Sequence, residues 1–172
     1  MSSKLVLREL QLKDALSAET AHREMVEVDD FKFLLTDYVP GEDFSAYIKR
    51  VKNISQGIDL PADFVQATFL VADVDGEIVG RVSIRHTLNE RLAASGGHIG
   101  YGVRPAHRQK GYASEILKQA LPIAKAAGLN EVLIDCLDDN VGSFRTIEKN
   151  GGILQNHYVD DKGKWRRYKV ML

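Results

Sequence analysis

Between Tyr101 and Ala113 the chain places a strand, a basic loop and a helix start in direct succession. Arg104, Arg108 and Lys110 supply positive charge around Gly111, and Tyr112 and Ala113 follow it. A helix start leaves backbone N–H groups without partners and carries partial positive charge. Gly111 has no side chain to block a close ligand. These parts make a seat for a phosphate or pyrophosphate. The same parts also suit a solvated turn. A dinucleotide fingerprint is excluded, because Gly100 and Gly102 are followed by Pro105 where a third glycine is required. No Gly-x-x-x-x-Gly-Lys motif ending in Ser or Thr occurs.

Other residues with chemical capacity are scattered. His22, His86, His98, His107 and His157 show no metal-ligand spacing, so no metal is expected. Cys136 is the one cysteine and lies in an apolar run, as an inert core thiol would. Trp165, Arg166, Arg167 and Tyr168 mix basic and aromatic residues, but at strand period they alternate faces. Lys plus Arg number 23 against 24 Asp plus Glu, a net charge of −1. No whole-protein field would hold a nucleic-acid backbone. No apolar run is long enough to span a membrane. The first ten residues are too charged for a signal peptide, and reducing cytosol is the natural compartment.

The elements that must position these residues follow from periodicity. At 172 residues, 44% hydrophobic and 27% charged, the chain is expected to form one domain, residues 1–172. Leu5 to Leu7 predicts a first strand. Lys13 to about Leu35 has helical spacing, with Asp29-Asp30 as an interruption. A second helix is predicted from Asp43 to Gln56, ended by Gly57. Strands are predicted at Thr68–Ala72 and Ile78–Ile84, joined at Asp75-Gly76 by a tight turn. Leu88 to Gly97 reads as a loop, and His98 to Val103 as a strand. Ala113, Ile116, Leu117, Ala120, Leu121, Ala124 and Ala127 mark the clearest helix, with a bend expected at Pro122. A buried strand at Val132–Leu137 follows, then a short helix from Asn140 to Gly151-Gly152. Two final strands are expected at Ile153–Val159 and Arg166–Leu172.

With these residues in view, the chain resembles the GNAT superfamily of acetyl-CoA-dependent N-acyltransferases. Arg108 to Ala113 matches its motif of Arg or Gln, two free positions, Gly, one free position, and Gly or Ala. A second match runs from Asn140 to Ser143 and again from Glu148 to Gly152. Element order agrees over nearly the whole chain. Arg85–Asn89 and Gly96–Arg104 look like a group of predicted bacterial acetyltransferases. The resemblance implies an α/β fold: a single GNAT-like domain with a mixed, mostly antiparallel sheet flanked by helices on both faces. It implies acetyl-CoA as co-substrate, a small-molecule or peptide amine as acceptor, and direct attack in a ternary complex. It leaves a homodimer open.

Residue by residue, the resemblance places backbone groups of Tyr101, Gly102 and Val103 on the pantetheine arm. It places the N–H groups of Arg108, Gln109, Lys110, Gly111, Tyr112 and Ala113 on the pyrophosphate, and Asn140 and Ser143 near the thioester. Asn140 is equally a helix N-cap. Three positions depart from the family, and the first is Gly152, where the motif usually ends in Phe. Ile147 stands where many members carry an acidic tyrosine, which leaves Tyr101, Tyr112 or water. Gly97 stands near the position of a basic glutamate, which leaves His98, His86 or, behind them, Asp135. Asp29, Asp30, Asp37, Glu42 and Asp43 fall where the family builds its acceptor wall. The departures keep open two alternatives: a non-catalytic acyl-CoA sensor, and a transferase of another acyl group.

Overall fold

A computed structural model describes residues 4–35 and 37–172. Met1 to Ser3, part of the N-terminal stretch judged too charged for a signal peptide, lie outside the described residues.

Strand β1 (Leu5–Arg8) leads through a 3-10 turn into helix α1 (Ala15–Asp29). Helix α2 (Phe44–Gln56) follows, then β2 (Ala67–Val74) and β3 (Glu77–Arg85). A short helix α3 (Glu90–Ala94) precedes β4 (Ile99–Val103). Helix α4 (Tyr112–Ala126), β5 (Glu131–Leu137), α5 (Val141–Lys149), β6 (Ile153–Asp160) and β7 (Gly163–Met171) complete the order.

Local chemistry explains most boundaries. The helical pattern through Leu35 stops at Asp30, whose left-handed backbone caps α1. The Asp43 side chain accepts from Ser45 N–H at the start of α2. Asp75 and Gly76 turn the β2–β3 hairpin with φ of 53° and 88°, the left-handed pair a tight hairpin needs. Helix α4 continues through Pro122. One expectation is corrected: Leu88–Gly97 is not wholly a loop. Asn89 caps α3 by accepting from Leu92 N–H at 2.9 Å, and Leu92 is buried. One short turn carries too few apolar residues for periodicity to show.

The strands form two antiparallel sheets, ordered β1-β2-β3-β4 and β5-β7-β6. One core lies between the sheets and α4 and α5, and includes Val82, Ile84, Ile116, Leu117, Ile134 and Ile147. A second lies under α1 and α2 around Met25, Phe33, Tyr47, Phe69 and Val71. Helices therefore cover both faces, as expected.

The two sheets meet at one place. Gly97 bridges Ile134, and His98 N–H donates to the Leu133 carbonyl at 2.7 Å. Gly97 is buried with φ +63°, and a Cβ there would lie 2.4 Å from the Leu133 carbonyl oxygen. Only glycine permits that approach. Past this joint β4 pairs with β3 alone.

Candidate active site

The edge of β4 is the first component. Arg85 N–H donates to His98 O, and Arg104 N–H to Val79 O. By strand alternation the even-numbered residues between them turn their backbone groups to β3. Those of Tyr101 and Val103 then point away from β3, into the gap beside β5. The side chain of Arg108 folds back and donates to Val103 O at 3.1 Å.

The second component is the loop into α4. Gln109 and Gly111 have φ of 61° and 80°, which turns successive N–H groups to one side. Among the described residues no acceptor meets the N–H groups from Gln109 to Ser114. Glu115 N–H is the next one satisfied, by Gly111 O at 3.2 Å. A concave run of free donors at a helix start is an anion seat. The Arg108 guanidinium is held by Asp29 at the end of α1, so its side chain braces the loop. A Cβ on Gly111 would meet nothing within 4 Å, so glycine is needed there for its φ.

The third component is the start of α5. Asn140 Oδ1 accepts from Ser143 N–H at 3.0 Å, as a helix cap does. Its amide NH2 has no acceptor among the described residues. The Tyr101 hydroxyl reaches across the gap to Ser143, 2.9 Å from Oγ and 3.3 Å from the carbonyl oxygen. Burial pushes the Tyr101 phenol well above its ordinary range, so it keeps its proton. Cys136 is 4% exposed, and burial pushes its thiol up to about 11. At that value it is an inert thiol.

Tyr101, Asn140 and Ser143 thus come together at one end of the gap, with the donor loop beside the same strand. His98 is beside the gap but engaged. Its Nδ1 accepts from Leu133 N–H at 2.9 Å, so the neutral ring carries its proton on Nε2. Burial, with Arg85 nearby, holds its pKa below the ordinary value. His86 turns the other way, 2.8 Å from Thr68 Oγ1 on β2. Asp135 is also engaged, by Arg167 (2.7 Å), the Tyr158 hydroxyl and Gly96 N–H (both 2.9 Å). Ile147 is fully buried. A Cβ on Gly152 would lie 2.4 Å from Ile147 Cγ2, so the two departures at 147 and 152 are one packing solution.

The acidic residues on the α1–α2 side are largely paired. Asp29 holds Arg108, Asp37 and Glu42 hold Arg50, and Asp43 caps α2. Sequence reasoning did not single out Arg81 and Arg85. They face the α1–α2 side from β3, and neither forms an ion pair among the described residues. Their signal was an arginine spacing of four within a mostly apolar strand. No group of three or more His, Cys, Asp or Glu is placed to hold a metal among the described residues. No described helix is long and apolar enough to cross a membrane.

Comparison with known proteins agrees with this geometry. No curated protein matches the sequence. Among solved structures, a ribosomal L7/L12 α-N-protein acetyltransferase (RimL) in complex with coenzyme A is 14% identical, with a TM-score of 0.71. The match covers 100% of this chain and 96% of that one. The microcin C7 self-immunity acetyltransferase MccE, in complex with acetyl-CoA and AMP, is 16% identical with a TM-score of 0.70, over 100% and 94% of the two chains. Mycobacterium smegmatis RimJ, in complex with CoA-disulfide, is 16% identical with a TM-score of 0.71, over 97% and 81%. The sequence model of the acetyltransferase (GNAT) domain matches residues 4–153, most of the chain, and the protein belongs to that family of acetyltransferases.

Proposed function

We propose that the protein transfers an acetyl group from acetyl-CoA to a primary amine, by direct attack with both substrates bound. The observation that carries this reading is the run of free N–H groups from Gln109 to Ser114 beside the free edge of β4. RimL and MccE, which share the fold, are described with coenzyme A and acetyl-CoA. The donor run would hold the pyrophosphate, with Lys110 adding charge. The edge at Tyr101 and Val103 would pair with the pantetheine arm, Gly102 between them being turned to Arg81 on β3, and the Asn140 amide would donate to the arm. Acetyl-CoA supplies the activated acyl group.

In this reading the backbone N–H groups near Val103 stabilise charge growing on the thioester oxygen. The amine attacks directly, and no residue of the protein is acylated. Tyr101 and Ser143 supply hydroxyl donors toward the leaving sulfur. A CoA thiolate leaves readily near neutral pH, so a hydrogen bond suffices. His98 and His86 remain the imidazole candidates for the amine's proton. For His98 that role requires release of the Leu133 N–H, so it is expected to contribute little to the rate while that bond holds. The protein is read as one cytoplasmic domain over residues 1–172, of bacterial type. A homodimer belongs to the same reading, with exposed Ile153, Leu154 and Val159 on edge strand β6 as available surface.

A second reading, an acyl-CoA sensor without turnover, is favoured by two observations. Ile147 is buried where relatives carry an acid, and Gly97 is a sheet joint where relatives carry a base. One experiment separates them. Acetyl-CoA at about 100 times its Kd should stabilise the fold by ~2.7 kcal/mol. At roughly 2–4 °C per kcal/mol that is a shift of about 5–10 °C. Thiol release on adding amines then supports the transferase. Binding without release against a broad amine panel supports the sensor. No shift with acetyl-CoA, CoA or longer acyl-CoAs overturns both.

A further inference from the structure

The face of β4 turned toward α1 and α2 is bare backbone at Gly100 and Gly102. Above Gly102 the space is taken, because a Cβ there would lie 2.8 Å from both Met25 Cε and Phe31 Cε1. Above Gly100 it is open: a Cβ would meet only Arg81 Nη1, at 3.7 Å. The opposite face of β4 is closed by the core around Ile99 and Val103 and by the Tyr101–Ser143 contact. An acceptor reaching the β4 edge therefore has its opening over Gly100.

The walls of that opening are cationic. Arg81 lies under Phe31, its guanidinium 4.4 Å from the ring centre. It donates to Gly100 O at 3.0 Å and Lys32 O at 2.8 Å. Its Nε is buried with no acceptor. Arg85, four residues further on the same face, donates through Nη1 to Gly97 O at 2.8 Å and Gly96 O at 3.3 Å. Its remaining N–H groups have no protein acceptor among the described residues. Two neighbouring half-buried or buried guanidinium groups without a carboxylate are costly, because each raises the desolvation burden of the other. Asp29, Asp37 and Glu42 are held by Arg108 and Arg50, and Asp135, whose charge favours the Arg85 guanidinium from a distance, is held by Arg167.

We propose that the hollow over Gly100, walled by Arg81 and Arg85, takes a carboxylate of the acceptor, and that the acceptor is an amino acid. The inference rests on the transferase reading above. A residue of strand rises about 3.4 Å, so Gly100 lies roughly 3–10 Å from the Tyr101–Val103 edge. That span matches an amine and a carboxylate separated by a few bonds. A polycationic amine meets repulsion at the same place.

The test is thiol release from acetyl-CoA with L-amino acids and their matched amides, beside putrescine and spermidine. The acids should exceed their amides at least tenfold in kcat/KM. Gly100→Val has no φ penalty and suits a strand. It should cut the acid-to-amide preference below threefold and leave the acetyl-CoA thermal shift at the parental value. Arg85→Gln should lower the same preference through KM, and it stands in if Gly100→Val does not fold. Amides or polyamines turned over as well as the acids overturn the inference and leave the transferase standing. Loss of the acetyl-CoA shift in Gly100→Val also overturns it, because the hollow would then belong to the acetyl-CoA seat. No release with any amine, despite acetyl-CoA binding, removes the transferase reading and this inference with it.

Discussion

Replacing Gly97 with alanine tests whether one backbone contact joins the two sheets. The new Cβ would stand 2.4 Å from Leu133 O and 2.8 Å from its carbonyl carbon. Normal contact requires a retreat of nearly 1 Å. Neither partner is a flexible side-chain end, so β4 and β5 must part. Parting strains His98 N–H to Leu133 O and Leu133 N–H to His98 Nδ1, at 2.7 and 2.9 Å. Each such bond contributes about 0.5–1.5 kcal/mol. Holding a non-glycine residue at φ +63° costs a further ~1–2 kcal/mol. The sum is about 2–5 kcal/mol, or a midpoint lowered by roughly 4–20 °C. Gly128→Ala is the control. It has φ +95° and nothing within 4 Å of its Cβ, so it should cost only the ~1–2 kcal/mol of backbone strain. Urea unfolding of both variants, with m-values compared, reads the difference directly. Equal losses in the two would refute the joint, whatever their absolute size.

Three other outcomes are expected. His98→Gln keeps an acceptor for Leu133 N–H and should lower kcat/KM by under threefold; a loss near ~100-fold would make His98 the base. The folded-state pKa of His98 is lowered by burial, so the fold binds fewer protons than the unfolded chain below pH ~6.5. His98 therefore contributes stability that is full above that pH and is lost as pH falls through the lower folded value, and His98→Gln should flatten that part of a midpoint-against-pH curve. Asn140→Ala should cost about 1 kcal/mol of stability through the lost cap and also weaken acetyl-CoA binding; unchanged affinity by calorimetry would reduce Asn140 to a cap. Lys110→Glu has no φ penalty, unlike a change at Gly111, and should shrink the acetyl-CoA thermal shift while leaving the unliganded midpoint within about 0.5 kcal/mol; an intact shift would move the pyrophosphate off this loop.

What the sequence alone determined was local. Helix α4, the Asp75-Gly76 turn and the passage from β4 through a basic loop into α4 were legible, because periodicity, turn chemistry and helix starts act over a few residues. One family motif, Arg108 to Ala113, falls within that passage; the other brackets α5. Tertiary structure decided the rest. His98 had the right type and strand to be a base, but its lone pair is taken by Leu133, 35 residues away. Asp135 is taken by Arg167, 32 residues away. The acidic residues from the end of α1 to the start of α2 looked like an amine wall until Arg108 folded onto Asp29 and Arg50 onto Asp37 and Glu42. Arg81 read as an ordinary strand residue until the chain laid Lys32, 49 residues earlier, across it. Whether a polar group is free or spent depends on which distant partner reaches it, and that pairing is set only when the layers pack.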